Sequence, residues 1–381
     1  MSEKKYRKAA QIITKAGMLP FPITDTLMEI MELLYTDEEV EFITKAFRRK
    51  PSLTMEQLKD KTNMSEEKIE TLVDSLASKG ALFNQPSSKG FMVYRLLPLI
   101  MVGTFEYTFM NKIEYTDKEK KIAELFEVLF EEVQEVVQEK YDMMAPMFKQ
   151  IPPVDRTVPI YENKEGKEIK IEVNKEVKAP EEQVLAANKI RDIIDKFDDI
   201  AVAHCFCRQH QDLLGNSCKV TDLRETCFTL GKSARFVSEH GFGRLISKEE
   251  ALEILQKSEE EGLVHKAFHP HGDIKRDETS ICNCCKDCCA TFGLWRDGVI
   301  PMVNATNFLS KIDNDLCIGC GTCVERCPVD AIELNNENKA ERNADWCIGC
   351  GICAHFCPES AISLLEGPRT VYVPPPKLRN K

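Results

Sequence analysis

A pattern of cysteine, glycine and proline occurs twice near the C-terminus and constrains this chain more than any other feature. The two copies occupy residues 317–328 and 347–358, and each reads C-x2-C-x2-C-x3-C-P. Iron in a cubane cluster needs soft thiolate ligands, and short intervals let several sulfurs of one loop converge at little entropic cost of chain closure. The two runs therefore predict two iron–sulfur sites close together.

A short alternating segment follows each run, at residues 331–334 and 361–364, and predicts a strand. With these segments, residues 311–366 closely resemble the bacterial two-cluster 2[4Fe-4S] ferredoxins. The resemblance implies a βαββαβ sandwich that transfers single electrons at low potential. It also implies the ligands of the first [4Fe-4S] cluster, which are Cys317, Cys320, Cys323 and Cys357, and those of the second, which are Cys347, Cys350, Cys353 and Cys327.

Zinc ribbons are the alternative for paired cysteines. They need neither a third cysteine at the same interval nor a proline after the fourth, so the runs favour iron. Residues 311–366 also carry ten acidic and four basic side chains. The resulting charge of −6 suits a basic patch on a redox partner protein, which could itself contain a flavin or a metal.

The composition limits the classes of protein to consider. The chain has 381 residues, a net charge of −11 and 17 cysteines. The acidic balance argues against binding to nucleic acid or to an anionic membrane. The first residues lack the apolar core of a signal peptide, so we expect reduced thiols in the cytoplasm. The most apolar window, residues 96–105, is too short to span a bilayer, so we expect no membrane span.

Residues 37–97 resemble a winged-helix domain. Their pattern predicts a helix before Pro51, a short helix over 54–63, a longer helix capped by Ser65, and a hairpin over 81–96. The longer helix would be the recognition helix of a DNA-binding relative, but it carries four acids against Lys68 alone. A net charge of −3 repels phosphates, so a scaffold or a protein-docking role is favoured.

The nine remaining cysteines lie within residues 205–289 and predict a further metal site. If the run at residues 282–289 is helical, Cys282, Cys285 and Cys289 share one face, and Cys284 and Cys288 another. A third [4Fe-4S] cluster is the favoured interpretation, and structural zinc or redox-active or buried thiols are the alternatives. The candidate ligands are Cys205, Cys207, Cys218, Cys227, Cys282, Cys285 and Cys289.

Other side chains near these cysteines could bind a cofactor. Arg208 adjoins Cys207 and is the candidate cofactor-binding residue, and Arg244 is a second possible anion ligand. The histidines that could act as acid, base or metal ligand are His204, His210, His265, His269 and His271. Residues 226–233 lack the first glycine of a phosphate loop, and no dinucleotide fingerprint occurs. Any flavin or nicotinamide should therefore belong to a partner.

These patterns predict a multidomain α+β protein. The domains are a mostly helical winged-helix-like domain (1–110), a long helix and linker (111–153), a mixed Cys-rich middle domain (154–310), the ferredoxin domain (311–366) and a tail (367–381). The arrangement resembles ferredoxin-fused iron–sulfur proteins of anaerobic bacteria and archaea. The favoured function is electron transfer to or from a redox partner. A reductase with its substrate at the middle metal centre, and a redox-sensing winged-helix regulator, are the alternatives; the catalytic residues of such an enzyme are unknown.

Overall fold

The computed structural model describes residues 2–17, 22–87, 89–153, 155–172, 189–270, 273 and 276–378. The chain divides into two compact units. The first consists of Met1–Val136, Ala203–Ser217 and Ala234–Arg244, and the second of Val137–Val202, Cys218–Ser233 and Leu245–Lys381. The domain bounds expected from the sequence stay predictions.

The first unit is mostly helical and contains one small sheet. Its N-terminal elements are α1 (Ser2–Ala16), α2 (Asp25–Leu34), α3 (Asp37–Ala46), β1 (Ser52–Leu53), α4 (Met55–Thr62), α5 (Glu66–Ala77), β2 (Leu82–Pro86), β3 (Met92–Leu96), α6 (Thr104–Met110) and most of α7 (Asp117–Glu139). The helices and the hairpin predicted for this part are confirmed. Thr54 caps α4 and Ser65 caps α5, each by accepting a hydrogen bond from a backbone N–H. The likeness to a winged-helix domain stays a prediction.

A core of aromatic and aliphatic side chains holds the first unit together. The Phe105 ring of α6 lies 4.9 Å from that of Phe126 and 5.3 Å from that of Phe130, both in edge contact. On α5 the apolar stripe is buried, whereas Glu66, Glu67, Glu70 and Asp74 are exposed. The exposed side of this helix is therefore acidic.

The rest of the chain forms shorter helices and a large sheet. The elements are α8 (Tyr141–Phe148), β4 (Asp155–Val158), β5 (Ile171–Glu172), α9 (Ile190–Asp195), β6 (Ile200–His204), α10 (Phe206–Leu213), β7 (Glu225–Leu230), α11 (Lys232–Glu239), β8 (Arg244–Leu245), α12 (Lys248–Glu260), β9 (Val264–Phe268), β10 (Ser280–Cys284), α13 (Ala290–Arg296), β11 (Met302–Ile312), α14 (Thr322–Arg326), β12 (Ile332–Leu334), β13 (Ala340–Arg342), α15 (Ile352–His355) and β14 (Ile362–Val373).

Three secondary-structure expectations need correction. The four prolines of residues 146–159 predict a linker, and this prediction is wrong, because α8 contains Pro146 and β4 is a sheet strand. Two alternating segments on either side of residues 163–166 predict a hairpin over residues 158–173. Its turn and an antiparallel bridge between Glu162 and Glu168 are present, but β5 pairs in parallel with β14 instead of with β4. The expected tail is wrong up to Val373, because β14 continues in antiparallel pairing with β11. Apolar residues at helical spacing predict a helix over residues 181–197. Its last part is confirmed as α9, and the part before residue 189 lies outside the described residues.

The second unit is built on a sheet of nine strands among the described residues, in the order β5-β14-β11-β4-β9-β10-β7-β6-β8. Side chains alternate between its two faces. One face carries Val158, Phe228 and Ile281 and packs against α9 and α12. The opposite face packs against α13 and belongs to the apolar cluster that contains the repeat cysteines. The sheet therefore connects the repeat with the cysteines of β7 and β10.

Within the repeat, elements β11, α14, β12, β13, α15 and β14 follow one another. The outer strands β11 and β14 pair antiparallel, and β12 pairs antiparallel with β13. None of the helices that the structure describes is long and apolar enough to cross a membrane.

Candidate metal centres

The eight cysteines of the repeat line two cavities, four in each. We call them the outer site, lined by Cys317, Cys320, Cys323 and Cys357, and the inner site, lined by Cys327, Cys347, Cys350 and Cys353. The volumes of the outer and inner cavities, including the space open to solvent, are about 370 and 350 Å³. Each set combines three cysteines of one run with the last cysteine of the other run. The structure thus brings together the same two sets that the ferredoxin resemblance implies, and four thiols around each cavity fit a [4Fe-4S] cluster.

The backbone of each run folds around its cavity in the same way. Gly321 and Gly351 precede α14 and α15 with φ near +77° and +78°, in the left-handed region that favours glycine. The next segments aim backbone N–H groups at the sulfurs. The N–H of Ala331 lies 3.2 Å from Cys327 Sγ, and that of Ala361 lies 3.3 Å from Cys357 Sγ. Such N–H donors stabilise thiolate charge and raise the potential of a bound cluster.

The two sites differ in their access to solvent. In the outer site Cys320 is exposed and Cys317 and Cys357 are half-buried, whereas all four cysteines of the inner site are buried. The same contrast holds for the isoleucine after the first cysteine of each run, because Ile318 is 60% exposed and Ile348 only 1%. The outer site is therefore the more accessible of the two.

Burial also decides how the free thiols ionise. It raises the pKa of Cys323 to about 11, and it raises the pKa values of Cys350 and Cys353 above their ordinary range. The side chain and backbone of Thr322 lower the pKa of Cys320 instead. The thiols of Cys323, Cys350 and Cys353 are thus neutral at pH 7 without metal, so metal binding must release their protons.

Four further cysteines lie at the face of the large sheet that α13 covers. We call them the sheet-face thiols, and they are Cys227, Cys282, Cys284 and Cys289. Cys227 of β7 lies directly opposite Cys282 of β10, so their side chains project from the same face. Cys284 lies on that face too, because it is two residues further along the strand. Its thiol bonds to those of Cys282 and Cys289, and these contacts raise its pKa.

A buried cation stands beside the sheet-face thiols. Lys266 of β9 lies directly opposite Cys282, and its ammonium is 2.6 Å from the carboxylate of Asp155. Burial alone would lower the pKa of Lys266, but Asp155, Cys284 and Cys289 outweigh it, and the net pKa is raised. This ammonium favours thiolate charge on the sheet face.

A third group of cysteines lies where β10 ends, and we call it the turn triad. The Sγ of Cys218 is 3.7 Å from that of Cys285, which is 3.1 Å from that of Cys288. Contacts with Cys285 and Cys288 lower the pKa of Cys218, and contacts with Cys218 and Cys285 raise that of Cys288. Three thiols this close share protons, because they cannot all ionise without a cation.

The helix considered for residues 282–289 is wrong. Residues up to Cys284 form β10, and a turn follows before α13 begins at Ala290. The run therefore divides its cysteines between the sheet face and the turn triad, and Cys285 does not share a face with Cys282 and Cys289. Cys284 and Cys288 are not among the candidate ligands that the sequence pattern predicts. The interval Cys285-x2-Cys288, which is common in metal sites, was the signal that could have identified Cys288.

The remaining candidates of the middle domain belong partly to the first unit. Cys205 and Cys207 lie at the start of α10 within that unit, and Arg208 of the same helix is fully buried there. Neither a ligand role for the two cysteines nor a cofactor-binding role for Arg208 is tested, and both stay predictions.

The histidines that the structure describes have structural partners. His210 bonds to a backbone carbonyl of the first unit, and burial lowers its pKa to about 4. In the second unit, Nδ1 of His265 is 2.6 Å from the side-chain oxygen of Asn283, and His269 bonds to a backbone carbonyl. His271 lies outside the described residues.

Comparisons with known proteins agree with the geometry of the repeat. A family described as a 4Fe-4S dicluster domain matches residues 310–364. The chain is 50% identical over 32 residues to a probable ferredoxin of Methanosarcina thermophila, which is 8% of this chain and 55% of that protein. It is 60% identical over 25 residues to Ferredoxin-2 of Desulfomicrobium norvegicum, which is 7% of this chain and 42% of that protein.

The chain thus spans about half the length of the curated relatives it matches. No solved structure matches it. The C-terminal part of the chain contains a ferredoxin-like 4Fe-4S dicluster domain, and this domain indicates iron–sulfur clusters and electron transfer.

The matched glycines before α14 and α15 give a test of the inner site. A Cβ on Gly351 would lie 2.7 Å from the carbonyl oxygen of Ile160, whereas a Cβ on Gly321 would have nothing within 4 Å. Both residues have the same positive φ, so the backbone strain of alanine is equal and only the clash differs. We expect Gly351→Ala to lose about four irons per chain and Gly321→Ala to keep them, in iron analysis after anaerobic purification. Equal iron contents in the two variants would contradict this account of the inner site.

Proposed function

We propose that this protein passes single low-potential electrons between a redox partner and two [4Fe-4S] clusters, one in the outer site and one in the inner site. The observation that carries the proposal is the division of eight repeat cysteines over two cavities, each combining three thiols of one run with one of the other. The ligands are Cys317, Cys320, Cys323 and Cys357 for the outer cluster, and Cys347, Cys350, Cys353 and Cys327 for the inner cluster. When bound, the clusters supply the one-electron chemistry.

The sheet-face thiols extend this path in the proposal, as ligands of a third [4Fe-4S] cluster. Cys227, Cys282 and Cys284 share one face of the sheet, and Cys289 contacts Cys284 from the start of α13. Three of the four belong to the same apolar cluster as the inner-site cysteines. The ammonium of Lys266 offsets part of the negative charge that four thiolates bring to a buried place. Electrons would then enter at the outer site and move inward.

The outer site is the proposed port for the partner. Exposed apolar side chains surround it, namely Leu316, Ile318 and Leu334, and the acidic Glu359 lines its cavity. An apolar contact framed by acids fits a partner with a basic rim around its own redox group, such as a flavin or a metal. The 17 cysteines, eight of which line the two cavities of the repeat, suit a reducing compartment such as the cytoplasm of an anaerobe.

A role as a DNA-binding regulator finds less support. The exposed side of α5 is acidic, and its cation Lys68 pairs with Glu38 at 2.6 Å. We therefore propose that the winged-helix-like part of the first unit is a scaffold or docks a protein.

The crossed ligand sets can be tested with paired substitutions. Cys320→Ser combined with Cys357→Ser removes two ligands of the outer cluster, so the double variant should lose about four irons, the same as either single variant. Cys320→Ser combined with Cys327→Ser removes ligands from both clusters, so it should lose about eight. Iron analysis and the EPR spectrum of the reduced protein provide the measurement. If the second pair loses only four irons, each run binds its own cluster and the proposal of crossed ligation is refuted.

The port can be tested by its apolar contact. Ile318→Ser removes an exposed apolar side chain without a change of charge, and we expect the second-order rate of electron transfer to a basic c-type cytochrome to fall about tenfold. Leu245→Ser, which alters an equally apolar side chain that is 52% exposed and lies outside the repeat, is the matched control. The rate is measured by stopped flow at several salt concentrations. A similar effect of both substitutions would argue against a port at the outer site.

A further inference from the structure

The turn triad differs from the proposed cluster sites in the distances between its sulfurs. All three Sγ atoms of Cys218, Cys285 and Cys288 lie within 4.8 Å of one another. Four thiolates that hold a cube bind four different irons, so their sulfurs lie farther apart than sulfurs bound to one ion. In agreement, no three of the eight repeat cysteines, all of which the structure describes, come this close.

A single tetrahedral ion matches these distances. With metal–sulfur bonds of about 2.3 Å, tetrahedral angles place two sulfurs about 3.8 Å apart. The separation of Cys218 and Cys285 is 3.7 Å and that of Cys285 and Cys288 is 3.1 Å. A small increase in the distance between the sulfurs of Cys285 and Cys288 allows all three thiolates to bind one ion.

The surroundings of the triad stabilise thiolate charge. The N–H of Cys288 donates to the Sγ of Cys285 at 3.2 Å, and the backbone of Val220 and Thr221 bonds to Cys218. Leu263 is fully buried against the triad and keeps its interior apolar. Backbone donors around converging sulfurs in an apolar setting are typical of metal sites.

Further contacts hold the two parts of the triad together. The carboxylate of Asp287 accepts the backbone N–H of Lys219 at 2.9 Å, which ties the Cys218 loop to the turn that carries Cys285 and Cys288. The backbone carbonyl of Asp287 in turn accepts a hydrogen bond from Arg296 at 3.1 Å. The three sulfurs are therefore preorganised rather than dependent on a metal to bring the loops together.

The same turn is attached to the repeat. The ammonium of Lys286 lies 3.1 Å from the carboxylate of Asp330 and 3.0 Å from the carbonyl oxygen of Glu325, which lies between Cys323 and Cys327. An ion in the triad thus lies beside the segment that supplies one ligand to each proposed cluster.

We propose that Cys218, Cys285 and Cys288 bind one thiophilic metal ion, zinc or iron, and leave its fourth position to an exogenous soft ligand such as a thiolate. Among the described residues, three ligand atoms converge at this place, and all three are cysteine sulfurs. A site with three protein ligands and one exchangeable position is the arrangement of catalytic rather than structural metal sites. The proposal does not depend on the proposed function, because the triad can bind an ion whether or not the repeat holds clusters.

The test uses the full chain, purified anaerobically with its clusters and analysed for metals. The first arm adds zinc and records the zinc K-edge, which iron clusters do not obscure. We expect three sulfurs at about 2.3 Å and one oxygen or nitrogen, and a fourth sulfur once 2-mercaptoethanol is added. If the isolated protein holds iron at the triad instead, the second arm uses Mössbauer spectroscopy, which should detect one mononuclear high-spin ferrous ion beside the clusters.

Matched variants separate the triad from the cluster sites. Cys218→Ser and Cys288→Ser should each weaken zinc binding more than tenfold, and the half-buried Cys288 serves if the first variant does not fold. Leu245→Ser, at an exposed position outside the triad and the proposed cluster sites, should leave zinc binding unchanged. Four protein sulfurs that do not respond to the added thiol, or unchanged zinc binding in both triad variants, would overturn the proposal. The EPR spectrum of the same reduced samples reports on the two repeat clusters and not on zinc in the triad. Absence of the repeat clusters is therefore distinguished from absence of zinc binding at the triad.

Discussion

The antiparallel pairing of β11 with β14 is the interaction on which the candidate metal sites of the second unit depend. It closes the repeat, because β11 leads into the first cysteine run and β14 follows the second. The next strands of the sheet, β4 and β9, lead on to β10 and β7, which carry Cys282 and Cys227. One continuous sheet thus connects the outer and inner sites with the sheet-face thiols, so loss of this pairing would disturb all of them.

In the proposed function, the groups of thiols differ in role. The inner site is buried, and so are the sheet-face thiols except the half-buried Cys282, which has the Lys266 ammonium beside it. This setting suits centres that exchange electrons internally. The outer site has an exposed cysteine and exposed apolar neighbours, as suits exchange with a partner. The turn triad has close sulfurs and backbone donors, which suit a single ion. Access to solvent and the distances between sulfurs, rather than the number of cysteines, distinguish these roles.

The sequence alone predicted those features that depend on a local pattern of residues. The resemblance of the two runs to the bacterial two-cluster ferredoxins implied which four cysteines meet at each cavity, and caps such as Ser65 located the helices before β2. It did not predict those features that depend on pairing between strands distant in the chain. Cys282 and Cys284 are two residues apart, as side chains on one face of a strand are. That they lie in a strand follows from the pairing of β10 with β7 and β9, which are distant in the chain. Because β10 ends at Cys284, Cys285 is part of the turn that follows. β5 likewise pairs with the distant β14 rather than with its neighbour in the chain.

An EPR-monitored redox titration of the anaerobically purified protein, with iron and acid-labile sulfide counted per chain, tests most directly whether the chain carries electrons through iron–sulfur clusters. We expect about twelve cluster irons, a matching amount of sulfide, and signals of one-electron-reduced [4Fe-4S] clusters that interact magnetically at low potential. Zinc in place of iron at the repeat cysteines, without acid-labile sulfide and without any signal on reduction, would contradict this expectation.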